Sequence, residues 1–144
     1  MAKFKVRQHQ KLKLDLGSVK DEEKNGNFKI SLAYFDPSPM YASGFRDWQK
    51  DGLLSKAMET LHGYCKRPLR EQVDGEKFSI YGSFPPPEKT RFSYPSHVPE
   101  DAEWARIHIN GPAVLIGHIV RDTFYLVFLD KTHKFWLTRR ETGK

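Results

Sequence analysis

Between Trp104 and Thr138 the chain reads WARIHINGPAVLIGHIVRDTFYLVFLDKTHKFWLT, with apolar and β-branched residues alternating with polar ones and interrupted by short turn signals. A period of two marks a strand whose side chains point to opposite faces in turn. This third of the chain therefore predicts four strands, over 105–109, 113–120, 123–129 and 133–138, joined by tight turns at Asn110-Gly111, Arg121-Asp122 and Asp130-Lys131. Asn-Gly is the strongest of these signals, because a two-residue type I′ turn needs positive φ at both positions. Both faces of the meander are apolar, which predicts a sheet covered on both sides. In the register these turns impose, one face carries Arg106, His108, Leu115, Ile119, Phe124, Leu126, Phe128, His133 and Phe135. The other carries Ile107, Ile109, Val114, Ile116, His118, Tyr125, Val127, Lys134 and Trp136, with His118, Tyr125 and Trp136 in one row across three strands. A single bulge would overturn the assignment.

Upstream, Leu12, Leu14 and Leu16 alternate with polar residues, and Phe28, Ile30, Leu32 and Tyr34 do the same. The polar stretch between them, ending in Asn25-Gly26, predicts a hairpin over 11–35. Asp36-Pro37-Ser38-Pro39 ends its second strand, since proline cannot continue a ladder. From 44 to 66 the period lengthens. Phe45, Trp48, Leu54, Met58, Leu61 and Cys65 fall on one stripe, with Ser43 placed to cap, Asp47 in the first turn, a kink at Gly52 and Arg67-Pro68 as the stop. Phe78 to Tyr81 predicts a short strand. Residues 82–103 carry Pro85, Pro86, Pro87, Pro95 and Pro99, and the rings of Phe84, Phe92 and Tyr94 among them are too costly to leave bare, so this loop is expected to wrap the surface. The fold class is α+β: one amphipathic helix on an antiparallel or mixed sheet with a C-terminal four-strand meander, in a single domain over 1–144.

Composition narrows the function classes. One cysteine among 144 residues excludes an internal disulfide framework and fits a reducing compartment, and no apolar run approaches the roughly 20 residues of a membrane span, so a cytoplasmic protein without membrane contact is expected. The net charge of +6 and pI of 9.4 favour a polyanionic partner, either RNA or an acidic protein. Basic residues gather at both ends: Lys3, Lys5, Arg7, Lys11 and Lys13, then Lys131, Lys134, Arg139, Arg140 and Lys144.

The chemistry that survives is limited. His97, His108, His118 and His133 have no metal-ligand spacing, no nucleotide-loop or nucleophile-elbow motif occurs, and Cys65 on the helix stripe reads as a buried, inert thiol; no metal or cofactor is expected. Metal-independent RNA cleavage asks for a base, a cation and an acid around one phosphate, and His118, Arg121, Tyr125 and Lys134 supply those groups as candidate catalytic residues. Trp136, Arg106, His108, His133, Arg139 and Arg140 are the candidate nucleic-acid contacts, Trp136 by stacking and the others by charge or hydrogen bonding. Two plainer assignments compete. The His118 row is also what a buried aromatic cluster looks like, and Asp130 either orients His133 or bonds the backbone of its own turn. An interaction module binding an acidic protein or nucleic acid through the basic termini and the loop 84–95 is the non-catalytic alternative.

The order of elements, hairpin, helix and antiparallel meander, with Ala105-Arg106-Ile107, His118-Ile119-Val120-Arg121 and Phe124-Tyr125-Leu126-Val127-Phe128 in its strands, resembles the bacterial RelE/ParE-type toxins over about a quarter of the chain. That resemblance implies a sheet that grips RNA, or mRNA in a ribosome, and neutralisation by an acidic antitoxin-like protein. The tail also resembles that of small bacterial proteins with no assigned activity, which implies no function.

Overall fold

The computed structural model describes residues 26–138. The first strand expected for the hairpin, 11–16, lies outside the described residues, as do Arg139 and Arg140. Along the chain come β1 (Lys29–Ser31), α1 (Phe45–Lys50), α2 (Leu53–Tyr64), β2 (Phe78–Gly82), β3 (Glu103–Asn110), β4 (Ala113–Val120) and β5 (Thr123–Asp130), with 3-10 turns at Arg70–Gln72 and Pro87–Lys89. The strands form one sheet in the order β1-β5-β4-β3-β2. Strands β2 to β5 are antiparallel neighbours, while β1 runs parallel to β5 with Ile30 opposite Phe124. The fold is α+β and the sheet mixed.

The meander has three strands, not four. It stops at Asp130, whose carboxylate is almost fully buried and accepts the backbone N–H groups of Lys134 at 2.9 Å and Phe135 at 2.8 Å. His133 takes φ +62° within that turn, and the backbone leaves the sheet. Residues 133–138 instead meet the proline-rich segment, where Arg91 N–H donates to the Lys134 carbonyl at 2.9 Å and Leu137 N–H to the Lys89 carbonyl at 2.8 Å. The reading of Asp130 as a residue that holds its own turn is the one the structure bears out.

Two register shifts redistribute the faces. The β3–β4 turn is Gly111-Pro112; Asn110 keeps a negative φ and pairs with Ala113, and a bulge follows His108. Arg106 therefore sits opposite Ile116 rather than Leu115, and His108 opposite Val114, which moves both residues to the face of His118. In β5 an extra residue, Val127, separates Leu126 (opposite Gly117) from Phe128 (opposite Ile116), so Phe128 crosses to the His118 face as well. Gly117 makes this possible. A Cβ there would come 2.8 Å from Phe124 Cζ and 2.9 Å from the Tyr125 carbonyl carbon, closer than side chains pack.

The expected single helix is two. Gly52, at φ +73°, ends α1 and restarts the chain as α2. Gly44 rather than Ser43 is the N-cap, with its N–H donating to the Asp47 carboxylate at 3.1 Å, while Ser43 N–H donates to the Leu129 carbonyl. The break rotates the core stripe onto Trp48, Leu53, Ala57 and Leu61, which bury against Leu115, Phe124 and Leu126. Met58, Phe45 and Cys65 are consequently exposed, which corrects the expectation of a buried thiol. The other face of the sheet carries Trp104, Ile116 and Phe128, covered by Phe84, Phe92 and Phe135. Ring centroids lie 4.7 Å apart for Phe92–Phe128 and 5.3 Å for Phe84–Trp104, and Tyr94 Oη donates to the Pro99 carbonyl. The proline-rich loop is wrapped onto the sheet, as its aromatic content predicts.

Candidate functional site: a cationic cleft at the β4–β5 turn

Val120 pairs with Thr123, so Arg121-Asp122 is the two-residue turn the sequence predicts. Arg121 adopts φ +59°, in the left-handed region that favours glycine, and is exposed. Asp122 anchors the neighbouring strand: its carboxylate meets Lys29 Nζ at 2.9 Å, and its carbonyl accepts the Lys29 N–H at 2.9 Å. Opposite lies the segment after α2, held by the Leu69 N–H donating to the Gly26 carbonyl at 2.9 Å. Pro68, Arg70 and Glu71 of that segment face Lys29, Arg121, Thr123 and Tyr125 across a cleft of about 800 Å³. The cleft thus gathers three cations against two carboxylates. Arg70 is tied to Glu103 at 2.9 Å and Lys29 to Asp122. Among the described residues Arg121 forms no ion pair. Its guanidinium is free for a planar, two-toothed contact with an incoming oxyanion.

Behind Tyr125 the candidate catalytic histidine is sealed. His118 is 2% exposed, with ring centroids 5.0 Å from Tyr125, 5.0 Å from Tyr34 and 6.1 Å from Trp104. Neither ring nitrogen has a hydrogen-bond partner, and Trp104 Nε1 beside it has none either. Burial pushes the imidazole pKa down, so the neutral ring is favoured. Of the row expected across three strands, His118 and Tyr125 are neighbours, but Trp104 takes the third place and Trp136 does not.

Trp136 and Lys134 lie at the other end of the face, because the chain left the sheet at Asp130. Trp136 stacks on Tyr81 with centroids 4.7 Å apart and planes at 17°. Arg106 lies beside Tyr81 and donates to the Glu76 carbonyl at 2.7 Å. Burial pushes the Tyr81 phenol up to about 12, with Arg106 opposing and Asp130 adding to the shift. His108 Nε2 lies 3.0 Å from the Gly111 carbonyl, and His133 Nδ1 is buried without a partner rather than oriented by Asp130. The ten candidate residues therefore divide: Arg121 and Tyr125 line the cleft with His118 behind them, five others lie away from it, and two fall outside the described residues. Lys29 and Arg70, which complete the cleft, were missed. Lys29 stood on the polar side of an alternating strand, but only the parallel pairing with β5 brings it to the turn.

Among the described residues no group of three or more His, Cys, Asp or Glu side chains is arranged to hold a metal ion, and no helix is long and apolar enough to cross a membrane. The fold and the site define a mixed-sheet α+β domain with a cationic cleft at one end of the sheet. No protein-family model, curated protein or solved structure matches the chain.

Proposed function

We propose that this protein binds single-stranded RNA, seating a phosphate on Arg121 with Lys29 and Arg70 around it and the neighbouring base against Tyr125. The observation that carries this is Arg121 itself. An arginine in the left-handed region costs about 1 kcal/mol relative to glycine, and among the described residues it has no ion pair to repay that cost. Local departures from the best-folding residue cluster at working sites. The cleft is of the size that takes a nucleotide, and the excess positive charge of the chain draws in a polyanion. Binding is proposed without cleavage, because His118, the base the sequence offered, faces aromatic rings rather than the cleft. The toxin-type endoribonuclease shares this binding step and needs a base from elsewhere.

The test is anisotropy titration of a labelled single-stranded RNA decamer at several salt concentrations. One neutralised phosphate gives a slope of log affinity against log salt near −0.7, and Arg121→Gly brings that slope close to zero. Affinity should fall at least about tenfold in that variant while the fold stays at least as stable. Salt-independent binding, or equal affinity for wild type and variant, refutes the reading. Tight binding of a polyglutamate peptide with none of RNA transfers the cleft to an acidic protein partner.

A further inference from the structure

The cationic cleft holds a carboxylate that phosphate binding does not call for. Of the acidic groups at this end of the sheet, Asp122 neutralises Lys29 and Glu103 neutralises Arg70. Glu71 also lines the cleft and is exposed, and among the described residues its side chain forms neither an ion pair nor a hydrogen bond. An unpaired negative charge repels an incoming phosphate over distances up to about 8 Å at physiological salt. Its position is nevertheless firmly held. Leu69, fully buried, donates its N–H to the Gly26 carbonyl at 2.9 Å, and the Gln72 N–H donates to the Leu69 carbonyl at 3.1 Å. The Gln72 side-chain amide adds bonds to the carbonyls of Tyr64, Arg67 and Pro68 at 2.7, 3.0 and 3.2 Å. The turn that carries Glu71 is thus pinned on both sides of it.

We propose that Glu71 makes the cleft selective for guanine, its carboxylate accepting the N1–H and N2–H groups of a base stacked on Tyr125. The inference rests on the RNA-binding reading above and names the base which that reading leaves open. An ionised carboxylate offers acceptors only, two of them in one plane, and two adjacent donors match it best. Guanine alone among the four RNA bases carries such a pair on its Watson–Crick edge. Adenine and cytosine each set one amino donor beside a ring-nitrogen acceptor, and uracil flanks its single N–H with two carbonyls. All three therefore turn a lone pair toward the carboxylate. The repulsion Glu71 exerts on a phosphate is offset for guanine and for no other base, so specificity is gained at a cost in general affinity. Tyr125 supplies the platform. It is half-buried, meets Tyr34 and His118 at interplanar angles of 77° and 63°, and among the described residues no ring stacks on it. Stacking on an aromatic ring tolerates every base, which leaves the edge contact to decide between them.

The test is anisotropy titration of the full chain with labelled oligouridine decamers whose central position is guanosine, inosine, adenosine or uridine. Wild type should bind the guanosine decamer at least about tenfold tighter than the adenosine or uridine decamer, the size of one bidentate base contact. Inosine, which lacks the N2 amino group, should fall between. Glu71→Gln should bind the adenosine decamer about 1.5- to fivefold tighter than wild type does, because one exposed like-charge interaction is removed. In the same variant the guanosine preference should drop below about threefold. Equal affinity of wild type for the guanosine and adenosine decamers, with binding that still weakens as salt rises, overturns the guanine assignment and leaves the RNA reading standing, whether or not the variant folds. An inosine decamer bound as tightly as the guanosine decamer overturns the two-donor contact. A guanosine preference that survives in Glu71→Gln overturns the role given to Glu71. No binding of any decamer by wild type overturns the RNA reading and this inference together.

Discussion

Replacing His118 with leucine removes a sealed imidazole whose two nitrogens have no partners. Two opposing effects set the outcome at pH 7.5. An unsatisfied buried polar group costs about 1–3 kcal/mol, and leucine, of similar size and fully apolar, relieves it. Against that stand the edge contacts to Tyr34, Tyr125 and Trp104, worth about 0.5–1.5 kcal/mol each in comparable pairs. The net change should lie within about 1.5 kcal/mol of zero. The pH dependence is the sharper prediction. Burial holds the folded-state pKa of His118 below its ordinary value of 6.5, so the unfolded chain takes up this proton first. Stability from this group is therefore present above pH 6.5 and is lost as pH falls toward the folded value, at up to about 1.4 kcal/mol per unit. Between pH 7.5 and 5.0 the wild type should lose up to about 2 kcal/mol more than His118→Leu. Urea unfolding of both proteins at the two pH values measures the difference, and RNA affinity at pH 7.5 should stay within about threefold. A variant that is more than about 3 kcal/mol less stable at pH 7.5, with a gap that does not change with pH, would refute the reasoning. It would mean that the imidazole is hydrogen-bonded and accessible, and the catalytic assignment of His118 would return.

Three further outcomes follow from the geometry. Gly117→Ala drives a Cβ into the Tyr125 backbone and the Phe124 ring at the bulge, and should cost about 3 kcal/mol or more in thermal or urea unfolding; an ordinary loss below 1 kcal/mol would mean the bulge moves freely. Asp130→Ala leaves two backbone N–H groups without their acceptor and should cost about 2–5 kcal/mol, with accelerated exchange at the Lys134 and Phe135 amides. Arg121→Gly should leave stability unchanged or raise it by up to about 1 kcal/mol, because glycine relieves the positive φ but is looser when unfolded; a loss larger than 1 kcal/mol would make Arg121 a structural residue.

The fold class, the strands β3, β4 and β5, the wrapped aromatic loop and the Arg121-Asp122 turn were legible because each depends on local alternation and local turn chemistry. What was not legible depends on single residues that change phase. Asn110-Gly111 has the composition of a type I′ turn, yet Pro112 enters the turn and moves it on by one residue, and that slip alone carries Arg106 and His108 to the other face. Val127 gives no compositional sign that it is extra; the nearest signal is Gly117 opposite the bulge, a glycine inside an otherwise β-branched run. The helix stripe was read through Gly52 as though the period continued, but a positive φ resets it. Met58 and Cys65 then fall outside the core.

The site shows the same division more sharply. Chemical type alone selected ten residues spread over 35 positions of sequence, and two of them line the cleft. His118 and Tyr125 are adjacent as the pattern requires, yet adjacency on a sheet face does not decide exposure. That is decided by Tyr34, which arrives from beyond β1 and closes over both rings. Lys29 and Arg70 reach the cleft through a parallel strand and a post-helix turn, long-range placements that no local period encodes. Arg121 is the exception, since a two-residue turn between two firm strands already requires an unusual backbone there. An arginine in that position, where asparagine or glycine would fold at lower cost, could be singled out before any coordinates. Turn positions whose residue contradicts the turn's own demand are therefore better guides to a site than histidines counted by face.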